Sequence, residues 1–166
     1  MKKILLFVLL ILSASIAFAQ NPGWHELGSG ANALNANDSI LCMVYEKWSG
    51  NIYCAGAFTN ASGNHYVAKW DGTSWSELGG SNSLGANGNI NCIQILGNNL
   101  YVAGSFTNSN GKYYVAQWNG NSWSELGLGS NGLNANGPIR CFGQSGTWNS
   151  LTVGGDFKNA NSKYYV

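Results

Sequence analysis

The stretch YVAQWNGNSWSELG, residues 114–127, has a near twin in YVAKWDGTSWSELG, residues 66–79, and a partial one in GWHELG, residues 23–28. Each long copy joins two short runs rich in aromatic and β-branched residues through Asn-Gly or Asp-Gly, the mark of a β-hairpin. A two-residue turn centred on Asp71-Gly72 or Asn119-Gly120 sets Trp75 opposite Ala68 and Trp123 opposite Ala116, so that a large ring fills the space beside a small side chain. Outward from this hairpin, Trp24, Trp75 and Trp123 stand 51 and 48 residues apart, and Ile40, Ile90 and Ile139 stand 50 and 49 apart. A period of about 49 residues belongs to a repeat architecture.

The middle copy contains four runs of strand character, 89–96, 99–106, 113–118 and 122–126, each bounded by Gly, Asn or Ser. In the second run Leu100, Val102 and Phe106 face one way while Tyr101 and Ala103 face the other, so both faces are expected to be covered. Four-stranded antiparallel sheets stacked on copies of themselves meet that need. The expected fold is therefore all-β, a β-propeller of about three blade-equivalents that is incomplete as a ring. The repeat region spans 20–166, with units at 40–79, 90–127 and 139–166 and an orphan outer strand at 23–28. A β-trefoil, which also has three repeats of four strands, is the alternative. The repeat opens on a fourth-type strand and reaches Val166 inside a third-type strand. That pattern is expected of a piece of a longer propeller, the alternative being a three-blade protein that dimerises into a six-blade ring. Either leaves open blade faces that invite self-association.

Lys2 and Lys3 precede an apolar run from Ile4 to Leu12 and small residues ending at Ala19, which predicts a cleavable signal peptide over 1–19 and a secreted or cell-surface protein. The apolar run is well short of the roughly 20 residues that span a bilayer, and no later segment is longer, so no membrane span is expected. Without Lys2 and Lys3 the formal charge falls from +1 to −1, and the remaining basic residues are scattered, which leaves nothing to steer a nucleic acid. Cys42, Cys92 and Cys141 recur at one repeat position, and Cys54 stands where the other copies have Val102 and Val153. Substitution by Val marks an apolar socket and small buried thiols. A bridge from Cys42 to Cys54 within one hairpin is the competing reading.

LYVAGSF (100–106), IYCAGAF (52–58) and LTVGGDF (151–157), each followed by a YV third run and, in the first two, by a Trp in the last run, resemble the kelch repeats of galactose-oxidase-type β-propellers in exported bacterial proteins. The double glycine of that pattern is complete at Gly154-Gly155, the other copies reading Gly56-Ala57 and Gly104-Ser105. The resemblance implies the propeller fold. The two tyrosines and two histidines that hold copper in galactose oxidases have no matching set here, so it implies no copper chemistry, and no catalytic, metal or cofactor residues are assigned.

The expected function is a non-catalytic exported scaffold whose longer-loop rim binds a glycan or a surface protein. The alternative is a fragment of a propeller enzyme, a carbohydrate oxidase or hydrolase, with its active residues outside this chain. Three ligand-binding candidates stand out. Trp48 and Trp148 lie in first-to-second hairpins and suit sugar stacking, and His65 is off-pattern where another copy has Tyr113. Asp38 is the one carboxylate in the loops LNAND, LGANG and LNANG, too few for calcium. Glu26, Glu77 and Glu125 recur beside the repeat Trp and are expected to be edge charges that discourage strand pairing.

Overall fold

The computed structural model describes residues 25–127, 129–144 and 150–166, so the expected signal peptide, Trp24 and Trp148 lie outside the described residues. The chain is all-β. The first repeat forms β1 (Ile40–Tyr45), β2 (Ile52–Gly56), β3 (Ala68–Trp70) and β4 (Trp75–Glu77); the second forms β5 (Ile90–Leu96), β6 (Asn99–Thr107), β7 (Tyr113–Trp118) and β8 (Trp123–Glu125). The third contributes β9 (Ile139–Gln144) and β10 (Leu151–Gly155). Each full repeat keeps its strands in a sheet of its own, in the antiparallel order β1-β2-β3-β4 or β5-β6-β7-β8, and lends none to a shared trefoil barrel. The sheets form an open, propeller-like stack in which the first strands of successive repeats, β1, β5 and β9, lie side by side.

Side-chain alternation decides how the sheets stack. On the second sheet Ile93, Leu100, Val102, Phe106 and Ala116 turn toward the first, where they bury Ala55 and Val67 with Cys42, Val44 and Tyr53 against them. The opposite face of the same sheet, with Cys92, Tyr101, Ala103 and Val115, packs on Ile139 and Phe157 of the third repeat. One sheet therefore has two buried faces, which is why its strands lack a polar alternation.

The register of the opening hairpin differs from the two-residue expectation. Trp75 pairs with Trp70, and Trp123 with Trp118, while Ala68 and Ala116 face Glu77 and Glu125. The cause is the side chain of the turn's first residue. Asp71 Oδ1 accepts from the Thr73 and Ser74 amides, both at 2.9 Å, and Asn119 Oδ1 does the same for Asn121 and Ser122. Only Gly72 and Gly120 take positive φ, 98° and 96°, so the turn centres one residue later, with glycine at its first central position. Moving the centre by one shifts the partner by two and keeps the face. Trp75 thus still packs on the cluster that holds Ala68, and Trp123 on the one that holds Ala116.

The glycine alignment also shifts. Gly56, Gly104 and Gly155 pair with Ile40, Ile90 and Ile139, so the recurring glycine is the second of the Gly154-Gly155 pair, and Gly154 corresponds to Ala55 and Ala103. Opposite each of these glycines the first strand bulges, with Leu41, Asn91 and Arg140 as the extra residues.

All four cysteines are free thiols. Cys42 pairs with Ala55 and Cys54 with Met43, so the two sulfurs lie on opposite faces of one hairpin and the competing disulfide is not formed. Burial pushes the Cys42, Cys54 and Cys92 thiols up to about 12.

Candidate functional site

The longer loops, expected to be the binding rim, are largely occupied in holding the stack together. A two-residue Ala-Asn strap enters each full sheet. Ala86 exchanges two backbone hydrogen bonds of 3.0 Å with His65 of the sheet behind, while the next residue, Asn87, reaches forward, accepting from the Thr107 amide at 2.8 Å and donating to Thr107 Oγ1 at 3.1 Å. Ala135-Asn136 repeats this, pairing back to Tyr113 and forward to Lys158. Just before the strap, Asn35, Gly85 and Asn134 hold one left-handed position at φ 48°, 57° and 47°. The asparagine richness of these loops thus has a backbone origin. Replacing Asn87 with alanine should cost about 1 kcal/mol of unfolding free energy, because it leaves the Thr107 amide without its acceptor. Denaturant titration would check this, and Asn87→Asp, which keeps the acceptor, should recover part of the loss.

The recurring glutamates are not bare edge charges. Asn60 Nδ2 donates to both carboxylate oxygens of Glu77 at 3.1 and 3.3 Å, and Asn108 Nδ2 to both of Glu125 at 3.2 and 3.1 Å. The same Asn60 and Asn108 accept from loop amides two and four residues on. Each Glu therefore ties its outer strand to the second-to-third loop. Beside each tie is a cleft of recurring composition. The larger, about 480 Å³, is lined by Leu84, Asn108, Tyr114, Trp123 and Glu125, and the smaller, about 150 Å³, by Leu34, Asn60, Tyr66, Trp75 and Glu77.

Trp48 lies on the opposite rim, in the β1–β2 hairpin. Glu46 organises that hairpin: its Oε2 takes hydrogen bonds from the Ser49 hydroxyl, from Asn51 Nδ2 at 3.2 Å and from the Tyr53 hydroxyl at 3.1 Å. The Ser49 bond leads in holding the Glu46 carboxyl below its ordinary value. Backbone bonds from Glu46 N–H to Asn51 O and from Gly50 N–H to Glu46 O close the loop. Held this way, Trp48 is 92 % exposed, with the Lys47 ammonium 6.0 Å from its ring centroid.

His65 does not meet Trp48, since it sits at the end of the second-to-third loop, on the other rim. Its repeat position works through the backbone, bridging Thr59 and Ala86, which explains why Tyr113 can stand in its place. His65 Nδ1 is buried without a hydrogen-bond partner. The Ala-Asn strap and the Glu–Asn tie escaped the sequence reading, although the recurrence of Ala-Asn in the loops LNAND, LGANG and LNANG carried the first and Asn at a fixed offset from Glu77 and Glu125 the second. Among the described residues no three His, Cys, Asp or Glu side chains gather as a metal site would require, and no helix is long and apolar enough to cross a membrane. Compared with protein-family models, curated proteins and solved structures, the chain matches none.

Proposed function

We propose that this chain is a secreted or cell-surface kelch-type repeat scaffold of galactose-oxidase-like character, non-catalytic, that binds a glycan through an exposed aromatic on its short-hairpin rim. The observation that carries the reading is Trp48. A 92 % exposed indole on a hairpin with its own hydrogen-bond network gains nothing for the fold where it stands. A flat ring presented to solvent suits the apolar face of a sugar, and a Trp side chain has only two torsions to order on binding. The chain carries few charges overall, and beside the ring the Lys47 ammonium is offset by the Glu46 carboxylate, which favours a neutral ligand over an ionic one. A surface protein is the second class the test must separate.

The test is a panel of neutral oligosaccharides and surface-protein extracts read by calorimetry and tryptophan fluorescence. Trp48→Ala should lower glycan affinity roughly tenfold or more, the scale on which buried aromatic anchors act. The same variant should unfold within about 0.5 kcal/mol of the parent, as exposed positions do. Equal binding by parent and variant would remove Trp48 from the site.

A further inference from the structure

We propose that the cleft along β8 is a second ligand site, apart from Trp48, and that it takes a neutral saccharide. The two full repeats differ here. In the first sheet Trp75 Nε1 donates to the Leu27 carbonyl at 3.0 Å, and the cleft beside Trp75 and Glu77 is about 150 Å³. In the second sheet Trp123 Nε1 is buried with no hydrogen-bond partner, and the matching cleft is about 480 Å³. Only the larger falls within the roughly 300–1,000 Å³ of small-molecule sites. A one-residue change in the chain accompanies the difference. Two residues separate Leu27 from the 3₁₀ turn that starts at Gly30, and two separate Leu126 from the one at Gly129, but Gly79 alone separates Leu78 from the turn at Gly80. The shortening falls next to Leu78, the repeat counterpart of Leu27, and so accounts for both the lost tether on the indole and the wider cleft.

The lining sets the chemistry of the occupant. Trp123 and Tyr114 supply aromatic surface, each steadied from within the sheet: Trp118 packs on Trp123 with ring centroids 5.5 Å apart, and Phe106 meets Tyr114 edge-on. Glu125 takes both of its bonds from the one Asn108 amide, which leaves lone pairs on each carboxylate oxygen for a ligand hydroxyl. Asn82 and Ser83 add an amide and a hydroxyl from the shortened loop. Burial, and after it the Glu125 charge, raises the Tyr114 hydroxyl above its ordinary value, so it stays protonated and able to donate. A sugar answers this mixture, because each of its hydroxyls both donates and accepts while its C–H face rests on a ring. Among the described residues that line the cleft there is no Lys, Arg or His, so an anion would meet only the Glu125 charge. An ammonium would satisfy that charge but offer no acceptor to the amide and hydroxyl donors.

The test reads Trp123 in the full chain through its indole N–H in ¹⁵N spectra, the signal being assigned with Trp123→Phe. The probes are lactose, maltose, cellobiose and N,N′-diacetylchitobiose, with tetramethylammonium and glucuronate as charged controls. At least one disaccharide should shift the Trp123 signal saturably, and should do so equally in Trp48→Ala, which separates this site from the one proposed above. A serine inserted between Gly79 and Gly80 restores the Leu-Gly-Ser-Gly spacing of residues 27–30. That variant should keep the parent's unfolding midpoint and bind about tenfold more weakly or worse. Ser124→Tyr, at an exposed position bordering the cleft, should behave the same way. Disaccharide binding undiminished by both changes would overturn the proposal. So would a response confined to the Trp48 indole, a Trp123 response to a charged control but to no disaccharide, or no response at all.

Discussion

Replacing Phe106 with alanine should destabilise the chain by about 3–5 kcal/mol, the range for emptying a large aromatic site in a packed core. Phe106 is 1 % exposed and sits in the largest cluster, among Ile90, Val102 and Ala116, with Val67 and Ala55 arriving from the first sheet. Its ring meets Tyr114 edge-on, centroids 4.9 Å apart and planes at 84°. That contact is a repeat feature: Phe58 meets Tyr66 at 4.9 Å and Phe157 meets Tyr165 at 5.0 Å, each in the same T-shaped arrangement. The substitution thus removes burial and a ring pair at once, at the place where two sheets are joined. Phe58→Ala should cost less, because among the described residues its cluster is smaller, with Cys54 and Ala68 as fellow buried residues. Denaturant unfolding of both variants, with Phe106→Leu as a partial rescue, would establish the order.

Gly104→Ala should be the second large loss, roughly 1–3 kcal/mol or more, as overpacking against backbone demands. A Cβ at Gly104 would lie 2.0 Å from Asn89 O and 2.9 Å from both the Asn91 amide nitrogen and the Ile90 Cα. Backbone on all sides cannot swing away as a side chain can. The strain is purely one of space, since Gly104 is not among the residues with positive φ. Relief requires undoing the bulge at Asn91, whose Nδ2 donates to Ile139 O of the next repeat at 2.8 Å, so the contact between sheets weakens with it. Gly120→Ala makes a useful contrast. There a Cβ would meet nothing within 4 Å, but φ is 96°, and the cost is the backbone strain of a left-handed residue, about 1–2 kcal/mol. Losses of different origin should respond differently to Asn: Gly120→Asn should be milder than Gly120→Ala, and Gly104→Asn should not be milder than Gly104→Ala.

Much of the fold was legible because the repeat states it more than once. The runs 99–106 and 113–118 differ from β6 and β7 by one residue at most. The double-faced burial of the second sheet followed from Leu100 and Val102 alternating with Tyr101 and Ala103. The hairpin register was not legible, because Asp71-Gly72 reads as a turn centre by itself; what displaces it is a side-chain oxygen taking two amides, a choice visible only in three dimensions. The glycine alignment failed for a related reason. Gly154 sits in a place where alanine also fits, so the doubled glycine looked like the signature while the single bulge glycine carried the constraint. The glutamates read as edge charges because a carboxylate on an outer strand has that use whenever no partner is in view, and the partners here come from Asn60 and Asn108, 17 residues away. Of the binding candidates, Trp48 could be singled out by its place in a first-to-second hairpin. Its exposure depends on Glu46 drawing in Ser49, Asn51 and Tyr53, an arrangement that spacing alone does not reveal.

The stacking of separate four-stranded sheets is tested most directly by through-space contacts between methyl groups in a chain labelled at Ile, Leu and Val. Cross-peaks should join Val67 and Val44 of the first sheet to the second-sheet set of Ile90, Ile93 and Val102, and Val115 to Ile139, with Ile40 joined to neither Ile90 nor Ile139 as a symmetric trio. Mutual cross-peaks among Ile40, Ile90 and Ile139, as three equivalent residues gathered on one axis would give, would contradict it.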